Sequence, residues 1–320
     1  GPRDCEQAMV NAATSLYLSY APPYDWEAML AFLGARAIPG VEVVSRQSYT
    51  RTIAIGDARG VLSVEPAADQ RVHLSVRFPD PGALPAIVAR VRRILDLSAE
   101  PRVIGAHLAL DPRLAPLVAA RPGLRVPGAW DGFELAVRAV LGQQITVAAA
   151  TSLAGALVRA YGEMLPETSG TAEGPTRVFP TPERLENANI ASLGMPRSRA
   201  ATLSSLAAAV RADPAIFKPR GTLQEAVARL RSMSGVGEWT AQYIAMRELR
   251  EPDAFPATDI GLLRAMADAG GRRPTPAQLL ARAENWRPWR AYATLHLWTA
   301  EAHSRNSAPK LPPDRSRRAA

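Results

Sequence analysis

Apolar residues change their spacing about a third of the way along the chain. Trp26, Met29, Leu30 and Leu33 recur at helical spacing behind Asp25, which reads as an N-cap. Short runs at 48–55, 60–65 and 71–78 follow, separated by the turn-forming stretches Gly56-Asp57 and Ala67-Ala68-Asp69, a strand-and-turn signature. A second helical pattern over 86–97 closes the unit. Residues 21–106 are therefore expected to form a small mixed α/β domain built on an antiparallel sheet. Residues 1–20 carry no start signal and stay unassigned. From residue 107 the strand signal ends, and helical patterns punctuated by Pro, Gly and Asn-Ala-Asn run to residue 303. The predicted fold class is α+β, with that domain followed by an all-α region. The interrupted stretch 162–180 reads as a surface loop.

Composition narrows the class. With 47% hydrophobic residues among 320, two or three packed units can be filled. No apolar run is long enough to span a bilayer and the start lacks a secretory pattern, so a soluble, intracellular protein is expected. The single cysteine, Cys5, excludes an intrachain disulfide or a four-thiolate metal site, and no metal-ligand cluster is apparent. The formal charge of +8 favours a polyanionic partner. Part of it sits at the end: five basic side chains less Glu301 and Asp314 give 301–320 a charge of +3, and 304–320 reads as a flexible basic tail. Nearly all the cations are arginines, the only lysines being Lys218 and Lys310.

One segment carries chemistry. Leu223, Val227 and Leu230 form a helical stripe leading into Ser234-Gly235-Val236-Gly237-Glu238, after which 239–249 reads as a second helix. The glycines permit backbone angles closed to other residues, so N–H groups of Gly235, Val236 and Gly237 can converge beside a helix's positive end, where a DNA phosphate fits. By itself such a motif is also a plain tight turn. About twenty residues on, Asp259 precedes a predicted helix over 260–268; a capping role is the plain reading of that aspartate. Trp239 and Tyr243, four apart, share one helix face. His296 lies in an apolar stretch and reads as a core histidine, and Arg264 as either a phosphate contact or a structural arginine.

The chain resembles the helix-hairpin-helix glycosylases with a Gly/Pro-rich loop and an essential Asp, in particular the 3-methyladenine DNA glycosylase II branch. The likeness rests on ordered blocks: Pro-Pro-Tyr-Asp-Trp at 22–26, Ala-Arg-Pro-Gly-Leu-Arg at 120–125, Val-Arg-Ala-Val-Leu-Gly-Gln at 137–143 and Phe-Pro-Thr-Pro at 179–182. Gly-Val-Gly-Glu-Trp-Thr-Ala at 235–241 and Trp-Arg-Pro-Trp-Arg-Ala-Tyr-Ala at 286–293 complete the series. The resemblance implies a two-lobed helical body, with lobes at about 128–250 and at 107–127 plus 251–303, and an active site in the cleft between them. It implies that Asp259 is the catalytic carboxylate, that Trp239, Tyr243, Trp298 and Phe32 line a base pocket, and that Gln144 is the intercalating residue. Some relatives carry a bulky apolar wedge there, and some have a proline where Ser234 stands.

These roles agree with the chemistry. An N3- or N7-alkylated purine is cationic and is attracted to electron-rich ring faces. A flipped nucleotide exposes its glycosidic bond, and a carboxylate near C1′ stabilises the positive charge that develops on the sugar. Bifunctional relatives place a nucleophilic lysine where this chain has Trp239, so water is the expected nucleophile. The expected partner is double-stranded DNA containing alkylated bases, met by a cytoplasmic monomer acting on nucleoid DNA. No cofactor is expected beyond a monovalent cation that hairpin carbonyls can hold. A non-catalytic helix-hairpin-helix DNA-binding protein is the competing reading.

Overall fold

A computed structural model of the chain describes residues 13–166 and 174–307. Cys5, the middle of the 162–180 stretch and the tail beyond residue 307 lie outside the described residues. Five strands, β1 (Thr14–Ser19), β2 (Glu42–Val44), β3 (Tyr49–Ile55), β4 (Ala58–Ala67) and β5 (Arg71–Arg77), form one antiparallel sheet ordered β1-β5-β4-β3-β2. On β5, Val72, Leu74 and Val76 alternate inward with period 2. They share an apolar cluster with Met29, Leu30 and Leu33 of helix α1 (Trp26–Ala35) and with Ile87, Val91 and Ile94 of α2 (Leu84–Ile94). Asp25 caps α1, its Oδ1 accepting from the Ala28 N–H at 2.9 Å.

Two strands lie where the sequence gave no strand signal. In β1 only Leu18 is buried, so an edge strand exposed on nearly every position shows no alternation, and β2 is three residues long. β4 extends past both ends of the expected 60–65 run. Its Gly60 is obligatory, since a Cβ there would lie 2.2 Å from the Arg77 carbonyl oxygen. Helix α2 spans 84–94 rather than 86–97. The turn after it places Asp96 at φ +53°, with its carboxylate accepting from the Val126 N–H.

The remaining described residues are helical: α3 (Pro101–Leu108), α4 (Ala115–Ala120), α5 (Gly132–Leu141), α6 (Val147–Tyr161), α7 (Pro182–Glu186), α8 (Arg197–Ala212), α9 (Leu223–Arg231), α10 (Glu238–Arg247), α11 (Ile260–Ala265), α12 (Pro276–Ala283) and α13 (Arg290–Ser307). α5 packs on α8 and α10, and α13 on α4 and α11, giving two groups of helices. α11 is shorter than the expected 260–268 because Asp268 turns the chain, its Oδ1 accepting from the Gly270 and Arg272 N–H groups. No helix among the described residues is long and apolar enough to cross a membrane.

A buried ionic cluster joins the sheet domain to the helical body. Arg51 on β3 and Arg138 on α5 both grip Glu134, at 2.7 and 2.6 Å, and Arg138 also reaches Glu42 at 2.7 Å. Arg138 further donates to the Arg36 carbonyl at 2.8 Å, which fixes the C-terminal end of α1.

His296 is a core residue, 5% exposed. Burial pushes its imidazole down to about 4, against the smaller opposing influence of Asp25. An unfolded chain binds a proton there near pH 6.5, so this contribution to stability is complete above about 6.5 and falls as pH approaches 4, by up to about 3 kcal/mol. His296→Gln is expected to remove that slope from denaturant midpoints measured between pH 6.5 and 4.5; an unchanged slope would refute the assignment.

Candidate active site

Asp259 is the N-cap of α11 and is only half-buried. Its Oδ1 accepts from the Leu262 N–H and from the Trp298 indole Nε1, both at 2.9 Å, while Oδ2 accepts from Trp239 Nε1 at 2.8 Å. The plain capping reading is thus true of one oxygen and incomplete. A carboxylate that only caps a helix has no need of two indole donors from α10 and α13. The loop before it is fixed to α10 as well, because the Phe255 N–H donates to Gln242 Oε1 at 3.0 Å. Gly261 gives the carboxylate room, since a Cβ there would stand 3.0 Å from Asp259 Oδ1 and 3.4 Å from the Trp298 ring.

Beside the carboxylate, the Trp239 and Tyr243 rings stack with centroids 5.0 Å apart and planes 15° apart, as their i, i+4 spacing on α10 implies. Trp298 lies 6.3 Å from Tyr243, tilted by 47°. Phe32 enters differently. No ring pair joins it to those three among the described residues; the Arg36 guanidinium lies 3.7 Å from its centroid and that of Arg247 4.9 Å. Arg247 then connects to the ring group, its Nη1 donating to the Tyr243 hydroxyl at 2.6 Å. Burial works to raise the Tyr243 hydroxyl, and Arg247 and Arg36 outweigh it, so the group sits below the usual phenol value.

The hairpin between α9 and α10 separates the two glycines by role. Gly235 is held at φ +80°, and a Cβ would meet Thr202 at 2.2 Å, so only glycine fits. Gly237 has φ −85° and ψ −177°, open to any residue, which corrects the expectation that both glycines serve backbone angles. A Cβ on Gly237 would meet nothing in the protein. This exposed residue is the N-cap of α10 and supplies no side-chain cap, so first-turn N–H groups are left unsatisfied beside a Cβ-free surface. Val236 is buried between them and anchors the turn.

Gln144 is exposed at φ +60°, in a loop tied to the hairpin by Gln143, whose Nε2 donates to the Gly235 carbonyl at 3.0 Å and to Thr240 Oγ1 at 3.1 Å. Arg199 braces that loop through the Gln143 carbonyl at 2.6 Å. Arg264 points instead to Glu301, at 3.8 Å. Among the described residues no group of three or more His, Cys, Asp or Glu side chains could hold a metal ion. A cavity of about 580 Å³ lies elsewhere, near Arg92, Arg250 and Tyr292, and contains none of the expected site residues.

Sequence reading missed Arg36, Arg247, Gln143 and Gly261. Each acts through a partner distant in sequence or a steric limit, and neither leaves a local pattern.

Comparison with known proteins gives the following. Residues 15–131 match the AlkA N-terminal domain, and residues 137–291 the HhH-GPD superfamily of base excision DNA repair proteins. The chain is 37% identical over 289 residues to DNA-3-methyladenine glycosylase 2 of Escherichia coli, covering 89% of this chain and 96% of that protein. It is 39% identical over 308 residues to a probable bifunctional transcriptional activator/DNA repair enzyme AlkA of Mycobacterium tuberculosis, covering 95% of this chain but 60% of that protein. The chain therefore spans about three fifths of the length of that relative. The fold matches a 3-methyladenine DNA-glycosylase from Archaeoglobus fulgidus with a TM-score of 0.78 at 20% identity, over 90% of this chain and 98% of that one.

Proposed function

The chain belongs to the DNA-3-methyladenine glycosylase 2 family, an AlkA N-terminal domain followed by an HhH-GPD body, and on that premise we propose that it is a monofunctional DNA glycosylase of base excision repair. Its substrates are alkylated, cationic bases such as 3-methyladenine and 7-methylguanine in double-stranded DNA. It acts as a monomer on nucleoid DNA in the cytoplasm.

The observation that carries this reading is the Asp259 carboxylate, held by two indole N–H groups next to stacked aromatic rings. Gly235, Val236 and Gly237 present the hairpin to a DNA phosphate, with the free N–H groups of α10 as donors. A monovalent cation on hairpin carbonyls would add positive charge there. Those of Met233 and Gly235 each accept one hydrogen bond, which leaves each a second lone pair for such an ion. Gln144, exposed at a strained backbone position, is the wedge that fills the stack once a nucleotide is flipped, at a cost of about a few kcal/mol. Its exposure counts against a helix-packing role.

The flipped base meets Trp239, Tyr243 and Trp298, whose ring faces attract its positive charge. Phe32 contributes from the sheet domain. The C1′–N bond then breaks with its electron pair leaving on the base. Asp259 stabilises the cationic sugar, water oxygen bonds to C1′, and the water proton passes to the carboxylate or to solvent. Trp239 has no amine to form an imine, so the product is an intact strand with an abasic site.

Duplexes holding one 7-methylguanine, incubated with the full chain and borohydride, test both parts. Free base should appear, no covalent protein–DNA adduct should be trapped, and the strand should break only after alkali. A trapped adduct would refute water as the nucleophile. Binding without any release would leave the DNA-binding reading in its place.

A further inference from the structure

The ring group of the site ends, on the side of the sheet domain, in a cation. Arg36 closes α1 and lies flat on Phe32, 3.7 Å from the ring centroid. Its one hydrogen bond in standard geometry among the described residues is a long one, Nη1 to the Phe32 carbonyl at 3.3 Å, and it also faces the Tyr243 hydroxyl. No carboxylate pairs with it there; the charged groups around it are Arg247 and Arg138. Arg247 has spent its donors on the Pro127 and Gly128 carbonyls and on Tyr243. Arg36 has not. A guanidinium carries five N–H donors, and leaving a buried cation's donors without acceptors is unfavourable. The backbone of Arg36 is fixed through the Arg138 contact to its carbonyl, so the group is placed rather than adrift.

Such a group is of no use to a cationic base. When the glycosidic bond of 7-methylguanine breaks, the electron pair left on the base cancels its positive charge and a neutral molecule departs. A neutral lesion departs as an anion, its charge spread onto the ring nitrogens and the exocyclic oxygen, and needs a donor for that charge. Resting on the glycosylase activity proposed above, we infer that Arg36 is a specificity-determining residue: it donates to the carbonyl oxygen of neutral damaged bases, such as hypoxanthine, and stabilises them as they leave. The aromatic faces serve the cationic lesions and Arg36 the neutral ones, in one site.

The test is single-turnover release of hypoxanthine and of 7-methylguanine from otherwise identical duplexes by the full chain. Arg36→Met keeps much of the apolar cover over Phe32 and removes the donors. The ratio of hypoxanthine to 7-methylguanine rates should fall about 100-fold, the scale of losing one preorganised donor to developing negative charge. Arg36→Lys should restore part of that ratio. An equal loss on both bases would mark Arg36 as structural and overturn the inference, as would an unchanged ratio. Release of 7-methylguanine but no hypoxanthine by the unmodified chain would also overturn it while leaving the glycosylase reading intact. Release of neither base would remove both.

Discussion

Asp259→Asn is expected to lower single-turnover excision of 7-methylguanine by about 10²–10⁴-fold, the range for removing one charged or proton-accepting group from a preorganised site. The substitution is nearly isosteric. Its oxygen can still accept from the Leu262 N–H and the Trp298 indole, so the cap on α11 survives. Its amide nitrogen would face the Trp239 Nε1–H, donor against donor, where Oδ2 now accepts at 2.8 Å. That mismatch weakens the fold by about 1 kcal/mol, whereas the kinetic loss corresponds to about 3–5 kcal/mol. The two effects are therefore separable. DNA affinity should hold, because the hairpin glycines and the Gln144 loop lie on other elements. A variant within tenfold of the unmodified rate, at equal DNA binding, would exclude Asp259 as the catalytic carboxylate.

What could be read from the sequence was whatever repeats locally. The inward alternation of Val72, Leu74 and Val76 and the Asp25 cap before Trp26 are local, and both elements stand where expected. β1 escaped because only Leu18 among its six residues is buried: an edge strand has one neighbour and little inward face to betray it. The same division holds at the site. The Trp239 and Tyr243 stack follows from helix geometry, and Asp259 from its place before a helix. Arg36 is two residues from the end of nothing conspicuous, and its meaning depends on Tyr243 and Arg247, more than two hundred positions away. Gly237 was legible as a glycine but not in its reason. The sequence suggested a backbone need, and the structure gives ordinary angles with an open outer face.

Glu134→Ala is expected to destabilise the protein by about 3–5 kcal/mol, because it removes one partner from a buried ion cluster and strands the others. Arg51 is 3% exposed at its side chain and would keep only Glu42, 3.8 Å away; Arg138 would share that same carboxylate. One anion would then face two buried guanidiniums. The cluster's charge state supports this weight: burial works to raise Glu134, and the two arginines outweigh it, holding it down at about 2. Its contribution is present above the ordinary glutamate value of 4.5 and is lost as pH falls towards 2, below the window in which His296 acts. The damage should also reach the site. Arg138 holds the Arg36 carbonyl, so loosening it frees the end of α1 and the wall that Phe32 and Arg36 form. Denaturant unfolding of Glu134→Ala checks the magnitude, and Arg51→Met combined with Glu134→Leu checks the cause. Replacing charge and countercharge together should recover much of the loss, since the unpaired cation is what is unfavourable. A single variant within 1 kcal/mol of the unmodified chain, or a double variant worse than the single, would show that this cluster does not hold the two domains together.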